Sequence, residues 1–581
     1  MLNARLYRTC WLVAGVALVV ALLTLETPDT GPEPTLPSTI DGQGTLELSS
    51  QLASIAPERP PGSGPDLAAA QWVRQQLGQI PGAARRVQVQ DLEARVDREP
   101  VELQNVYLVV PGSGAGDARG GILVVAPRDT PSGVSAGASS TAVLLRLARS
   151  SATTRHQRPH LFVSTDGSSV GNAGIRWFLE RFSSFPITAA IVLDAPGEAN
   201  GDRVHIWDQG RTDRHSIGLA AIAGRSVERV GGRPDVERSL SAQLLRLAVP
   251  QTFGDQGAII PAGIPAVTLS GRSESPLRPG RAPTTERLEL VANAANDLLS
   301  VVDVAETVPT ADGGVGFAGR VLRPTIVRLT LLLLMLPVLV LAIDIVARQS
   351  RGRPPLLDGL RVVALRAVPI LAALAVGHLL VLGGVLPGAA AGVPPIPADV
   401  RFGPLEALGV ALALGAGVLA WLVARARRRR LRVPAPAEAT AALGALGALL
   451  ILTWILSPFA LVLVLPAAHA ALLATVARRP WQVVALAAVA VLPLLGLLSR
   501  IAGLLDSNQP FALWYLAETS ASGARGATGL LLGVLMTACL WSLASLVVRR
   551  RLGGWAQGGG RPRRRRRSIG PTRRVVSRPG P

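Results

Sequence analysis

Residues 121–149 read GILVVAPRDTPSGVSAGASSTAVLLRLAR, and this stretch decides the fold of the first half of the chain. The apolar, β-rich run from Ile122 to Val125 predicts a buried strand that ends near Pro127. The run AVLLRLAR, residues 142–149, predicts a helix after a glycine- and serine-rich turn. Strands continue to alternate with helices up to about residue 305. We therefore expect one α/β domain with a mostly parallel sheet covered by helices on both faces.

The same stretch resembles the metal-site region of the zinc aminopeptidase and glutamate carboxypeptidase family (peptidase family M twenty-eight). The resemblance covers roughly residues 50–305 and implies an aminopeptidase-like fold there. It is carried by five further segments, RPPGSGPDLAAAQWVRQQL (59–77), LFVSTDGSSVGNAGIRWFLE (161–180), AAIVLD (189–194), PAGIPAVTL (261–269) and TTERLELV (284–291).

The resemblance places two aspartates at positions where the family holds its two zinc ions. Asp129 matches the aspartate of a His-x-Asp motif at a strand end, and Asp194 matches the aspartate that ligates the second metal. The other family positions lack a ligand or base: the two histidines, the bridging aspartate and the glutamate pair are replaced by Pro127, Gly280 or a neighbour, Ala136, Ser168 and Ser169.

Such a site cannot support the family's hydrolysis. Zinc takes about four N, O or S ligands, and hydrolysis also needs a metal-activated water and a carboxylate base. We therefore predict no catalytic residue and no metal cofactor. The preferred role of Asp129 and Asp194 is to cap helix N-termini or accept hydrogen bonds from loop amides. A single zinc ion bound by these two aspartates with His205 or His215 is the alternative.

Hydropathy predicts that the second half of the chain is a membrane region. The 581 residues are 49% hydrophobic, with a mean hydropathy of +0.37. Leu6 to Leu25 reads as an uncleaved anchor, since an Ala-x-Ala cleavage motif is missing, although a cleaved signal peptide is conceivable. Seven further runs approach the roughly 20 residues that cross a bilayer, near 324–347, 364–387, 405–424, 438–456, 458–477, 482–504 and 526–548.

These signals divide the chain into six segments: an N-terminal anchor (1–25), a linker (26–45), the aminopeptidase-like domain (46–307), a second linker (308–323), a seven-helix membrane region (324–548) and a basic tail (549–581). The arginine-rich loops predict the topology, because cytoplasmic loops are enriched in positive charge. With both termini in the cytoplasm every span alternates without conflict. Residues 26–320 are then outside the cytoplasm, and the protein is a multi-pass protein of the cell membrane.

The net charge of +20 comes from arginine alone, because the chain has no lysine. The tail run from Arg563 to Arg567 (Arg563, Arg564, Arg565, Arg566 and Arg567) is expected to contact anionic lipid headgroups or to serve only as a topology anchor. No aromatic interleaving accompanies it, so nucleic acid is not an expected partner. The Ala, Arg, Gly and Pro bias is typical of a protein from a GC-rich bacterial genome.

Few polar side chains interrupt the membrane runs. His378 and His469 are candidates for a substrate path or proton relay. Asp344 and Arg500 lie near span ends, where we expect them to reach the headgroups. Mid-membrane charge and two similar halves with broken helices are typical of transporters, and the sequence has neither.

The layout of one anchor, one exported domain and about seven spans is similar to that of the attachment subunit of glycosylphosphatidylinositol transamidase, which implies a role in presenting a lipid substrate. We therefore expect a non-catalytic membrane protein, a pseudoenzyme whose exported domain binds a peptide, a lipid-linked substrate or a partner protein. One alternative is a divergent membrane-bound zinc metallopeptidase. Another is a transporter or lipid-handling protein with an accessory exported domain.

Overall fold

The computed structural model describes most of the chain, and the account below concerns those residues only: 3–27, 31–32, 39–83, 86–96, 99–113, 120–130, 137–198, 202–237, 239–274, 282–350, 355–389, 393–395, 400 and 402–558. A helix that precedes the α/β domain, α1 (Ala4–Leu23), coincides with the predicted anchor.

The α/β domain is built on one eight-stranded sheet. Its strands are β1 (Val87–Val96), β2 (Glu99–Val110), β3 (Gly121–Pro127), β4 (His160–Thr165), β5 (Ile187–Asp194), β6 (Arg203–Trp207), β7 (Arg233–Asp235) and β8 (Ala266–Ser270). Their order across the sheet is β1-β2-β4-β3-β5-β8-β6-β7. The four central strands, β4, β3, β5 and β8, run parallel, whereas β2 and β6 pair antiparallel to that core. The predicted, mostly parallel sheet is confirmed.

Eight helices belong to this domain: α2 (Gly42–Ile55), α3 (Gly64–Gly78), α4 (Gly137–Thr153), α5 (Ala173–Arg181), α6 (Ile217–Arg229), α7 (Leu240–Ala248), α8 (Gln256–Ile259) and α9 (Thr285–Val304). One sheet face packs under α2, α3, α4, α6 and α9, and the other under α5 and α8. Strand β3 alternates between the two layers, with Val124 in the first core and Val125 in the second. A strand buried on both faces must be apolar throughout, which explains the apolar run from Ile122 to Val125.

Both predicted linkers contain regular structure. Helix α2 begins at Gly42 rather than beyond residue 45, because the Asp41 carboxylate accepts hydrogen bonds from the amides of Gln43 and Gly44 and so caps the helix. The second linker holds a hairpin of β9 (Val315–Phe317) and β10 (Arg320–Leu322). Glu26 pairs with Val321 of this hairpin, so the end of α1 returns beside the start of the membrane region.

The second half of the described chain is helical. Its helices are α10 (Pro324–Ser350), α11 (Leu356–Leu382), α12 (Pro404–Leu431), α13 (Ala435–Leu456), α14 (Leu461–Ala474), α15 (Pro480–Leu504), α16 (Gln509–Ala521) and α17 (Ala527–Gly558). With α1, seven described helices are long and apolar enough to cross a membrane. The predicted span 458–477 is not one of these seven. It is a shorter apolar segment, Pro458–Ala474, that opens with a 3₁₀ turn. The predicted loop 505–525 contains α16 instead of irregular chain.

The α/β domain rests on one end of this bundle, at a surface we call the junction. On the domain side it is formed by α7 and the loop at Phe253, and on the bundle side by α15 and α16. Leu245 and Val249 pack with Leu497 and Ile501 in one apolar cluster. The rings of Phe253 and Tyr515 meet edge to face at 6.4 Å.

The arginine-rich helix ends lie at the other end of the bundle. Glu438, in the first turn of α13, pairs with the buried Arg366 and lies 3.9 Å from Arg549. Helix α13 then runs for about 30 Å, at roughly 1.5 Å per residue, before the chain reaches Phe459. Phe459 lies against Gly313, in the segment that follows the α/β domain. The domain and the basic loops are therefore separated by the length of the bundle.

Candidate functional site

The carboxyl ends of the four parallel strands meet at one edge of the sheet. Pro127 is the last residue of β3 and pairs with Thr165 of β4. Asp129 follows β3, the serine pair at 168 and 169 follows β4, and Asp194 ends β5. Ligands bind most often at this edge of open α/β sheets. It is therefore the candidate site on topology alone.

Asp129 is buried and its carboxylate is held by the loop that follows β4. Oδ1 accepts a hydrogen bond from the amide of Ser168 at 2.9 Å. Oδ2 accepts one from the amide of Ser169 at 2.9 Å and one from its hydroxyl at 2.6 Å. Burial raises the pKa of Asp129, and the hydrogen bonds from Ser169 oppose that rise. The contacts are those of a carboxylate that accepts from loop amides, as predicted for this residue.

Asp194 has a different partner from the one expected. Its Oδ2 lies 3.3 Å from Nε of Arg272 and 3.4 Å from the hydroxyl of Ser270. Arg272 also approaches Glu198, at 3.8 Å. Burial by itself would lower the pKa of Arg272, but the two carboxylates raise it above its ordinary value. Asp194 is thus part of an ion-pair cluster at the end of β5, whereas we expected a helix cap or a loop-amide contact.

Three predicted positions lie outside the described residues: Ala136, Gly280 and the tail arginines 563–567. The histidines of the one-zinc alternative are described and lie elsewhere. His205 Nδ1 is 3.0 Å from Oδ2 of Asp235, on the far strands β6 and β7. Burial, helped by the positive charges of Arg246 and Arg500, lowers the pKa of His215 to about 3. Within the described residues neither histidine belongs to a group of three side chains with metal-ligand spacing.

A buried arginine directly after β3 forms ion pairs beside this edge, and sequence reasoning did not identify it. Arg128 donates to Asp66 through Nε at 3.0 Å and NH2 at 2.6 Å, and it lies 3.6 Å from Asp166. Burial and the nearby carboxylate of Asp66 raise the pKa of Asp166 to about 8, against the lowering effect of Arg128. The only sequence signal was an arginine directly after a buried strand. Its partners are far away in the chain, so the pattern could not reveal them.

Asp255 is a second residue that sequence reasoning missed. It is buried in the loop before α8 and accepts hydrogen bonds from Asn172 Nδ2 at 2.5 Å and Ser168 Oγ at 3.0 Å. Burial raises the pKa of Asp255 to about 6, and these hydrogen bonds hold it lower than burial alone would. Arg211 donates to Asn172 from the same pocket, and burial lowers the pKa of Arg211 to about 10. Ser168 therefore bridges two buried carboxylates, with its amide on Asp129 and its hydroxyl on Asp255.

A separate polar group lies at the junction. Arg500, near the end of α15, carries a guanidinium whose three nitrogens are buried and have no hydrogen-bond partner in the described part of the chain. Glu237 and Glu274 attract it at longer range. Glu274 already accepts from the hydroxyl of Thr252 and, at 2.7 Å, from the amide of Phe253. The expectation that Arg500 reaches the headgroups is wrong, because its charged end is enclosed between α15 and the domain.

The other three polar residues predicted in the membrane runs, His378, His469 and Asp344, have partners. His378 Nδ1 lies 3.0 Å from the carbonyl of Ala521, and Asp344 forms an i, i+4 ion pair with Arg348 at 2.7 Å. His469 lies between the hydroxyl of Tyr7 and the carbonyl of Leu334, at 3.0 Å from each. The two histidine contacts join separate helices, whereas the Asp344–Arg348 pair lies within α10.

No known protein-family profile and no curated protein sequence matches this chain. Solved structures similar to it cover its α/β half. A glutaminyl cyclase from Fimbriiglobus ruber is 18% identical, covering 47% of this chain and 99% of that one, with a TM-score of 0.38. An aminopeptidase from Aneurinibacillus sp. strain AM-1 is 11% identical over 46% of this chain and 95% of that one, with a TM-score of 0.36. A zinc aminopeptidase from Bacillus subtilis is 10% identical over 48% and 98%, with a TM-score of 0.37.

Proposed function

We propose that this chain is a non-catalytic membrane protein with a peptidase-like exported domain that binds an anionic, lipid-linked ligand at the junction. The observation that carries the proposal is the buried guanidinium of Arg500, which has no hydrogen-bond partner among the described residues and lies where the domain meets the membrane helices. A lipid-linked ligand bound here would place its tail against the helices and its charged head beside Arg500, where α15 meets the domain.

The strand-end contacts support a non-catalytic role. The carboxylate of Asp129 is engaged by the two serines that stand at the glutamate positions of the resembled family, and Asp194 is engaged by Arg272. Pro127, Ser168 and Ser169 offer neither an imidazole nor a carboxylate for a metal-bound water. These residues therefore stabilise the strand ends and lack the groups that hydrolysis needs.

The charge of Arg500 supports an anionic ligand. A buried guanidinium without a partner is costly, because the protein has removed its hydration without replacing it. A phosphate or carboxylate oxygen would supply strong, charge-assisted hydrogen bonds in the planar geometry that arginine favours. Arg246 adds a second positive charge nearby and lies 3.9 Å from Glu237. Around them, the apolar residues of α7, α15 and α16 fit an alkyl chain. Of the three expected ligand classes, this favours the lipid-linked one over a free peptide or a soluble protein.

The proposed topology places the N- and C-termini in the cytoplasm and residues 26–320 outside. It requires Pro458–Ala474 to cross the membrane although it spans only about 25 Å at roughly 1.5 Å per residue. The positions of the domain contacts support this topology. Three residues at the end of the bundle opposite the arginine-rich helix ends contact the domain or the segment that follows it. They are Val393, Phe459 and Tyr515.

The test uses the full-length protein in detergent, with a polyprenyl monophosphate as the probe and the corresponding polyprenyl alcohol as its uncharged match. We expect the phosphate, and not the alcohol, to raise the melting temperature in a concentration-dependent way. Arg500→Gln should abolish that shift. Arg348→Gln, which removes an arginine at the other end of the bundle, should retain it. Equal stabilisation of wild type and Arg500→Gln by the phosphate would overturn the proposed site.

The two alternatives predict different results with the same preparation. Chelator-sensitive cleavage of a peptide panel by the wild-type protein, lost in Asp129→Asn, would replace the proposal with a metallopeptidase. Substrate flux in reconstituted vesicles would replace it with a transporter.

A further inference from the structure

Three potential metal ligands meet at the opposite, amino edge of the sheet. His160 is the first residue of β4, His156 lies four residues earlier in the loop after α4, and Asp303 lies in the last turn of α9. One ligand atom from each residue can be chosen so that all three atoms lie within 4.8 Å of one another. This edge is remote from Asp129, which follows the other end of β3.

The two imidazoles are oriented by hydrogen bonds on their other nitrogens. His156 Nδ1 lies 2.7 Å from the carbonyl of Arg158, so Nδ1 carries the proton and donates, and Nε2 keeps a lone pair. His160 Nδ1 lies 2.5 Å from the hydroxyl of Ser151. A second hydrogen bond of this kind normally fixes the tautomer and direction of a metal-binding histidine. The rings stack face to face at a centroid distance of 4.1 Å and an interplanar angle of 16°. The half-buried ring of His156 must therefore tilt for both Nε2 lone pairs to reach the same ion.

His160 Nε2 is the observation that points to a ligand. The ring is nearly enclosed, with 4% of the residue exposed, and Nε2 has no hydrogen-bond partner within the described residues. It lies 3.4 Å from Oδ1 of Asp303, a distance at which the contact is long and weak. A buried ring nitrogen with only so weak a partner is uncommon in a folded protein. A cation between the two would satisfy both.

The carboxylate of Asp303 is already fixed in place. It accepts hydrogen bonds from the amide of Gln157 at 2.8 and 3.0 Å and from the amide of Arg158 at 2.7 Å. An ionised carboxylate has about four acceptor positions, so these bonds leave room for a metal. The same amides tie Asp303 to the loop that carries His156. The ligands are therefore preorganised by the chain rather than assembled from free surface side chains.

We propose that His156, His160 and Asp303 form a binding site for one divalent transition-metal ion, with zinc the best match to two imidazoles and a carboxylate. Water completes the coordination, because His156 is only half buried and leaves one side open. The ion ties the loop between α4 and β4 to the end of α9. This site is independent of ligand binding at the junction.

The experiment measures zinc bound to the full-length protein in detergent after dialysis against buffered free zinc. We expect about one ion per chain, and visible absorption of tetrahedral cobalt when cobalt replaces zinc. His156→Ala should lose both signals and keep its fold, since the residue lies in a loop and is only partly buried. His205→Ala is the matched control, because it also removes a histidine that pairs with an aspartate in this domain.

Three outcomes separate this site from others. Zinc that is lost in His156→Ala and kept in His205→Ala and Asp129→Asn supports the proposal, and chelator should then lower the melting temperature of the wild type but not of His156→Ala. Zinc that is lost in Asp129→Asn and kept in His156→Ala places the metal at the other edge and overturns it. Absence of zinc and cobalt binding in the wild type also overturns it.

Discussion

The carboxylate of Asp129 accepts both the backbone amide and the side-chain hydroxyl of Ser169, at 2.9 and 2.6 Å. In the resembled family a glutamate pair stands at the serine positions and faces the metals. Here the serine loop donates to the aspartate directly. With the amide of Ser168, the carboxylate accepts from three donors in all. The contact links the ends of β3 and β4 and gives the aspartate a structural role that can be measured.

Asp129→Asn should destabilise the α/β domain. One of the two side-chain oxygens becomes an NH₂ group that faces backbone donors, which leaves a buried amide unpaired at a cost of about 1–3 kcal/mol. Thermal unfolding of the full-length protein in detergent measures the effect. Asp202→Asn, at a half-exposed ion pair with Arg233, is the control and should stay within about 0.5 kcal/mol of wild type. An unchanged melting temperature in Asp129→Asn, with loss of a measurable enzymatic activity, would favour the enzyme.

Two buried arginines should respond to the same substitution in opposite directions. Arg500→Met removes a charge without a hydrogen-bond partner in the described structure and should raise the melting temperature of the ligand-free protein. Arg366→Met should lower stability by about 3–5 kcal/mol, because it leaves the buried Glu438 without its closest partner. Differential scanning fluorimetry on matched detergent preparations compares the two. A loss in Arg500→Met as large as that in Arg366→Met would mean that Arg500 is already compensated.

Asp255 should make a pH-dependent contribution to the free energy of unfolding of the domain. Its folded pKa is raised to about 6 from an ordinary value of 3.8, so the folded state holds a proton that the unfolded state loses first. The stabilisation is therefore complete below pH 3.8, declines as pH rises toward 6 and is absent above it. At about 1.4 kcal/mol per pKa unit, the term is on the order of 3 kcal/mol.

Asp255→Asn isolates this term, because asparagine imitates the neutral acid. Relative to wild type, the variant should be more stable at pH 7 than at pH 4, as measured by denaturant unfolding at both values. A wild-type-to-variant difference that does not change with pH would show that Asp255 keeps an ordinary pKa.

The two chain ends define a topology that labelling can test. Single cysteines at Ser113 and Ser568, in a background with Cys10→Ser and Cys539→Ser, should react with a membrane-impermeant reagent from opposite sides. The expectation depends on Pro458–Ala474, because the chain crosses an even number of times in total only if this short segment spans the membrane. Labelling of both sites from the same side would mean that the segment does not cross.

Local patterns in the sequence were enough for the architecture. A strand buried on both faces must be apolar along its length, and a membrane helix must be apolar for about 20 residues. Both demands act on neighbouring residues, so β3, β4 and most of the membrane helices were predictable from hydropathy. The exceptions, α14 and α16, are short segments whose character depends on their packing at the junction.

The partners of the polar residues were decided by tertiary structure. Asp129 meets a serine 39 positions away, Arg128 meets an aspartate 62 positions away, and Asp303 meets Arg158 across 145 positions. These pairs exist because β4, β3 and β5 lie side by side in the sheet and α9 returns to its amino edge. Strand order is a property of the whole chain, and no periodicity within a segment encodes it. The sequence alone therefore determined which apolar segments form the core and which helices are apolar enough to cross a membrane. The fold decided which charges meet, because pairing depends on distances between segments that hydropathy does not specify.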